Sequence, residues 1–160
     1  MAKFEWSHRA LRLWISVGLI LVVQASAAQG WNRLQHNALK IKSLVGSLKK
    51  QLNISSEISY EIVPNNDLLV SVERVRNRTG AFIISFDANF LAMLDEDELP
   101  AAIAHEMGHV WIFTHHPYLH TEDLANAVAH RLVTVAQLDR LYEKVRVVKS
   151  PPANLTARKN

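Results

Sequence analysis

Between Pro100 and Pro117 the chain carries an almost unbroken apolar run, Ala101 to Thr114, whose only ionisable side chains are His105, Glu106 and His109. A segment that is apolar on nearly every side forms a buried helix, so the rest of the domain has to cover it. The approach to it, Asp95-Glu-Asp-Glu-Leu-Pro100, suits a helix start. With Asp97 as N-cap, Pro100 falls in the first turn, where its missing N–H costs no internal hydrogen bond. Carboxylates there also favour the positive end of the helix dipole. The pattern predicts a helix over residues 101–114, stopped by Pro117.

Histidine is over-used, with 8 in 160 residues, and five of these (His105, His109, His115, His116, His120) fall between positions 105 and 120. Two of them frame His105-Glu106-Met107-Gly108-His109, an H-E-x-x-H sequence. Residues four apart lie on one helix face about a turn apart, so both imidazoles can reach one metal ion. Glu106, about 100° round the helix from His105, sits beside that ion rather than on it, where a carboxylate can accept a proton from an activated water. Zinc suits two neutral imidazoles with a carboxylate and one open position. The alternative use of these residues is a helix whose histidines only satisfy surface hydrogen bonds.

The run from Asp95 to Val110 resembles the active-site helix of the CAAX-prenyl-protease-type (HtpX-like) zinc peptidases, a gluzincin family. The likeness lies in the acidic D-E-L approach, the small and aliphatic residues that follow, and H-E-h-G-H; it covers about residues 68–130. It implies a zincin-like fold, bound Zn2+ and cleavage of peptide or protein substrates. It further implies that a glutamate from a following helix completes the metal site. Glu122, in Glu122-Asp-Leu-Ala-Asn126, resembles the family's E-x-x-A-D, with Asn126 where the family has Asp. Asn126 can still accept a bond from a ligand imidazole, without the charge. Glu122 follows His109 by only thirteen positions, a minimal spacing for this family.

His115 is the rival third ligand, because its spacing matches the metzincin H-E-x-x-H-x-x-G-x-x-H. That motif needs glycine where this chain has Ile112, and a β-branched residue resists the required turn. His120 and Asp123 are further alternatives. His116 would lie about 10 Å beyond His109 along the helix, too far for the same ion. The implied reaction is zinc-assisted endopeptidase hydrolysis with Glu106 as general base. An oxyanion also needs a donor. His130, about two turns beyond Glu122 on the same face, is the first candidate, with Tyr118 and His120 as alternatives. The strand at 80–86 resembles the family's substrate-edge strand, and a peptide is expected to add beside Ile83–Phe86.

Around this helix the pattern is α+β. Leu34, Ala38, Ile41, Val45, Leu48 and Leu52 predict an N-terminal amphipathic helix over 31–52, with Lys40, Lys42, Lys49 and Lys50 opposite. Three strand candidates follow, Ile58–Val63, Leu68–Val75 and Ala81–Phe86, joined by turn clusters short enough for an antiparallel meander. A last helix is expected from Thr121 to Val147, burying Leu124, Val128, Leu132, Val135, Leu138 and Leu141.

The first 27 residues read as a signal peptide: Lys3, Arg9 and Arg12, then the apolar run Leu13–Val23, then Gln24-Ala-Ser-Ala-Ala28. The domain plan is therefore a signal over 1–27, a minimal zincin-like domain over 28–150, and a disordered tail over 151–160. Export to a periplasmic or secreted location follows, the alternative being an uncleaved membrane anchor. The net charge is +3. Removing three basic residues and Glu5 with the signal lowers it to +1, so nothing demands nucleic acid. With no cysteine, thiolate metal sites, disulfide scaffolds and cysteine nucleophiles are excluded. Two other function classes fit the same residues. One is a zincin-fold polypeptide-binding protein that does not cut. The other is a metal-free, membrane-associated structural module using the N-terminal segment and the lysine-rich helix.

Overall fold

The computed structural model describes residues 36–116 and 119–150. The signal segment, Leu34, Pro117, Tyr118 and the tail lie outside the described residues. The chain divides into two compact units, Met1–Lys40 and Ile41–Asn160. Of the first, residues 36–40 are described and helical.

The second unit is α+β. In this unit helix α1 covers residues 41–51 and turns Ile41, Val45 and Leu48 inward, the spacing that the apolar pattern requires. Lys42 and Lys50 face solvent. The helix ends at Asn53, whose φ of 53° is one that asparagine adopts more readily than other side-chain-bearing residues. Strands β1 (Glu57–Val63), β2 (Val70–Arg74) and β3 (Ala81–Asp87) follow. Next come α2 (Ala88–Met93), α3 (Glu98–His115), α4 (Glu122–Ala129) and α5 (Val135–Lys149). Among the described residues no helix is long and apolar enough to cross a membrane.

The sheet is mixed, in the order β1-β3-β2, and not the antiparallel meander that the short turns suggested. β3 pairs parallel with β1, Glu57 opposite Ala81, and antiparallel with β2, Val72 opposite Ile84. The physical reason is the burial of β3. Phe82, Ile84 and Phe86 are in the core, and Ile83 and Ser85 on its other face are half-covered. A strand covered on both faces belongs at the centre of a sheet, whereas β2, with Glu73 and Arg74 exposed, belongs at its rim. The consequence for function is direct: Ile83–Phe86 has a partner on either side and offers no edge to a peptide.

Asp87 ends β3 and caps α2, its Oδ1 accepting from the Phe90 N–H at 2.8 Å. Its Oδ2 accepts from the Asn66 N–H at 3.1 Å, tying down the loop before β2. Asp97 does hold the N-cap position of α3, but its side chain does not cap. It pairs with Arg140 of α5 at 3.1 Å instead. The first turn is organised by buried Glu98, which accepts from the Asp95 N–H at 2.8 Å and from Lys144 of α5.

The single C-terminal helix expected from 121 to 147 is two helices. Thr134 and Gln137 form a reciprocal capping box that starts α5. α4 stops at His130. A capping box satisfies two orphan N–H groups at once and so favours a new start over continuation. The break re-aims the apolar face: Leu138 and Leu141 are buried, while Val135 is 60% exposed.

Candidate metal centre

Helix α3 is buried through Ala101–Ala104, Met107 and Val110, which holds His105 and His109 rigidly one turn apart. Their Nε2 atoms are 3.1 Å from one another. Helix α4 returns immediately, started by Thr121, whose Oγ1 accepts from the Leu124 N–H at 3.2 Å. Its first residue, Glu122, places one carboxylate oxygen 3.2 Å from His105 Nε2 and the other 3.6 Å from His109 Nε2. One donor atom from each of the three residues lies within 4.8 Å of the others.

Three features fit this group to a cation. A four-coordinate ion with ligand bonds of about 2.0–2.1 Å separates its donor atoms by about 3.3 Å, close to the distances found. The donor set is two imidazole nitrogens and a carboxylate converging on one point, the set that suits zinc. The protonation states also suit it. Asn126 Oδ1, an acceptor only, lies 2.9 Å from His105 Nδ1. A proton on this ring therefore sits first on Nδ1, which turns Nε2 toward the group as the ligating atom. Burial first, then the adjacent His105, hold His109 down from 6.5 to about 4, leaving its ring neutral. His109 Nδ1 is buried with no protein partner among the described residues, so only one of the two imidazoles has side-chain support.

Glu106 lies beside the group, 6% exposed and lining the same cleft. Burial, then the Glu122 carboxylate, raise its pKa from 4.5 to about 8, against which a hydrogen bond from the Val72 backbone N–H pulls. A cation held by the neighbouring ligands would lower it again. Such a group exchanges protons near neutral pH, the requirement for a general base and acid.

Tyr142 of α5 is a site residue that the sequence reading passed over. Its hydroxyl donates to Asn126 Oδ1 and lies 3.0 Å from His105 Nδ1, and its ring meets His105 edge-on with centroids 5.9 Å apart. Burial raises the phenol's pKa; the Asn126 bond opposes this and the Glu122 and Glu106 carboxylates add to it, so the hydroxyl stays a donor. The signal for it was its position one turn after Leu138, at the margin of the buried face.

Other residues singled out from sequence sit elsewhere. His115 is exposed, bonded through Nδ1 to the Trp111 carbonyl at 2.9 Å and stacked on the Trp111 ring at 4.5 Å. His116 lies against the same ring. Asp123 is exposed. His130 is an exposed C-cap of α4 and does not line the cleft, because eight positions along α4 carry it about 12 Å from Glu122. His120 does line the cleft, stacked between His109 at 4.8 Å and Phe113 at 4.4 Å, outside the donor group.

The cleft has a volume of about 400 Å³ and an apolar wall built from Leu69, Val70, Phe90, Leu141 and Val145. One side of it is β2. The bonds Val75 N–H to Ala81 O (2.9 Å) and Asp87 N–H to Leu69 O (2.8 Å) bracket the β2–β3 ladder. Odd-numbered residues of β2 therefore bond to β3, and Val70, Val72 and Arg74 turn their backbone groups to the outer edge.

No protein family, no curated protein and no solved structure matches this chain.

Proposed function

We propose that this chain is a minimal zinc endopeptidase of the gluzincin type, with His105, His109 and Glu122 as metal ligands and Glu106 as general base. The observation that carries the reading is the convergence of both Nε2 atoms with the Glu122 carboxylate beside the buried Glu106. The donor set suits zinc, which when bound supplies Lewis acidity toward water and toward a carbonyl. Asn126 fixes the tautomer of His105, and Tyr142 fixes Asn126.

Glu106 takes a proton from the attacking water as the water oxygen bonds to the scissile carbonyl carbon. It delivers that proton to the amide nitrogen as the C–N bond breaks. The peptide adds as a strand to the open edge of β2, and its side chains enter the apolar cleft. Export after cleavage behind Ala27 or Ala28 belongs to the same reading, and the mass of the mature N-terminus tests it.

The test is a pair of measurements on the zinc-loaded protein. Glu106→Gln is expected to keep one zinc per chain and lose peptide hydrolysis by more than a thousandfold. Zinc binding with no Glu106-dependent cleavage of any peptide in a diverse library would instead mark a binding protein on this fold. Absence of stoichiometric zinc in the wild type would remove the metal reading altogether.

A further inference from the structure

Resting on that reading of the cleft, we infer that Arg74 selects substrates with an acidic residue on the N-terminal side of the cleaved bond. Arg74 ends β2 on the face shared by Val70 and Val72, toward α3. Its guanidinium lies 4.7 Å from the centroid of the Phe113 ring. Phe113 stacks on His120, and His120 on His109, so ring contacts link Arg74 to the metal ligands. Arg74 is exposed, and among the described residues no carboxylate forms an ion pair with it. The cation is thus held on one face by an aromatic ring and is open on the other. Beyond it lies a second cavity of about 440 Å³, which shares Phe113 with the first.

The register of strand addition decides which substrate residue meets this cation. Val72 and Glu106 line the same cleft and Val72 turns its backbone groups to the outer edge of β2, so the peptide residue paired with Val72 lies level with that carboxylate. A peptide running antiparallel to β2 passes Arg74 before it reaches Val72. The residue paired with Arg74 therefore precedes the one at Glu106 by two positions. Directly paired residues point to the same face with Cβ atoms about 5 Å apart, so its side chain meets the guanidinium. Aspartate or glutamate there gains a charge-assisted contact, and lysine is repelled.

The test measures binding apart from cleavage. Fluorescein-labelled decapeptides, otherwise uncharged, carry a single Asp, Asn or Lys stepped through each position. Their affinity is read by anisotropy on the zinc-loaded Glu106→Gln chain, with and without Arg74→Glu. At one position Asp is expected to bind about fivefold tighter than Asn, a preference that shrinks in high salt. Arg74→Glu should reverse it in favour of Lys, and Arg74→Gln should abolish it. Cleavage mapping on the Glu106-intact chain should put the preferred acid two or three residues before the cut.

An Asp-to-Asn ratio unaffected by Arg74→Glu at every position, or a preferred acid after the cut, overturns the inference while leaving the peptidase reading standing. Arg74-dependent selection without hydrolysis overturns the peptidase reading, and with it the cleaved bond, and leaves Arg74 as the selector of an acidic side chain. Binding of none of the peptides overturns both.

Discussion

Gly108 lies against Ala125 so closely that a Cβ at position 108 would collide with the Ala125 carbonyl oxygen and come 3.0 Å from its carbonyl carbon. That approach of α4 to α3 is what carries Glu122 and Asn126 to the two histidines. The obstruction is backbone, which has no rotamer to yield, so Gly108→Ala has to push α4 outward. A shift of even 1 Å spoils donor distances near 3.2 Å. We expect Gly108→Ala to weaken zinc binding at least tenfold and to cost about 1–3 kcal/mol of stability, as overpacked cores do. Chelator competition and urea unfolding measure the two effects, and an unchanged zinc affinity would show that α4 does not depend on this contact.

The third ligand separates cleanly from its rival. Glu122→Ala should abolish stoichiometric zinc, while His115→Ala, removing a ring stacked on Trp111, should leave it intact. Elemental analysis of the two variants beside wild type decides the matter, and loss of zinc in His115→Ala alone would reverse the assignment.

Support behind the ligand has a graded consequence. Asn126→Ala removes the acceptor from His105 Nδ1, and changes of this kind weaken metal binding about 10–100-fold. Tyr142→Phe removes only a bond to that acceptor, so a smaller loss is expected. Asn126→Asp adds charge behind the imidazole and should tighten binding. Equal affinities in all three variants would argue that the His105–Asn126–Tyr142 contacts do not position the ligand.

Glu98 and Lys144 join α3 to α5 away from the candidate metal site. Glu98 is 4% exposed, and Lys144 also donates to Met93 O at 2.7 Å and to Asp95 at 3.1 Å. Lys144→Met leaves a buried carboxylate unpaired and should cost about 2–4 kcal/mol in urea unfolding, somewhat below a fully buried pair. Burial pulls the Lys144 pKa down, but its bonds to Glu98 and Asp95 outweigh this and hold it above 10.5. A lysine pKa raised by folding stabilises fully below the unfolded value and loses that stabilisation as pH rises through the folded value. The stability gap between wild type and Lys144→Met should therefore be constant from pH 7 to about 9.5 and shrink above pH 10.5. A gap that does not shrink would mean that packing, not charge, joins the helices.

Local features were legible from residue order. The buried helix, its start at Asp97, the shared face of His105 and His109 and the inward stripe Ile41–Val45–Leu48 all depend on contacts within a few positions, where period and capping rules operate. Glu122 was legible only as a candidate among several, since spacing alone does not say how far a helix pair approaches. The places where the reading failed are non-local. Whether β3 is central or at an edge depends on what covers its second face. Whether α4 and α5 are one helix or two depends on a capping box competing with continuation. His130 failed because eight helical positions carry it about 12 Å along α4 from Glu122.

The sequence by itself therefore determined the chemistry available: two imidazoles on one helix face with a carboxylate beside them, and a second carboxylate four residues before an amide acceptor. Tertiary structure decided how that chemistry is completed. The absence of a side chain at Gly108 lets α4 approach, α5 delivers Tyr142 from 37 positions away in the chain, and the burial of β3 leaves β2 as the open strand beside the cleft. These outcomes are set by which surfaces find cover in the folded chain, and that is a property of the whole core rather than of any segment within it.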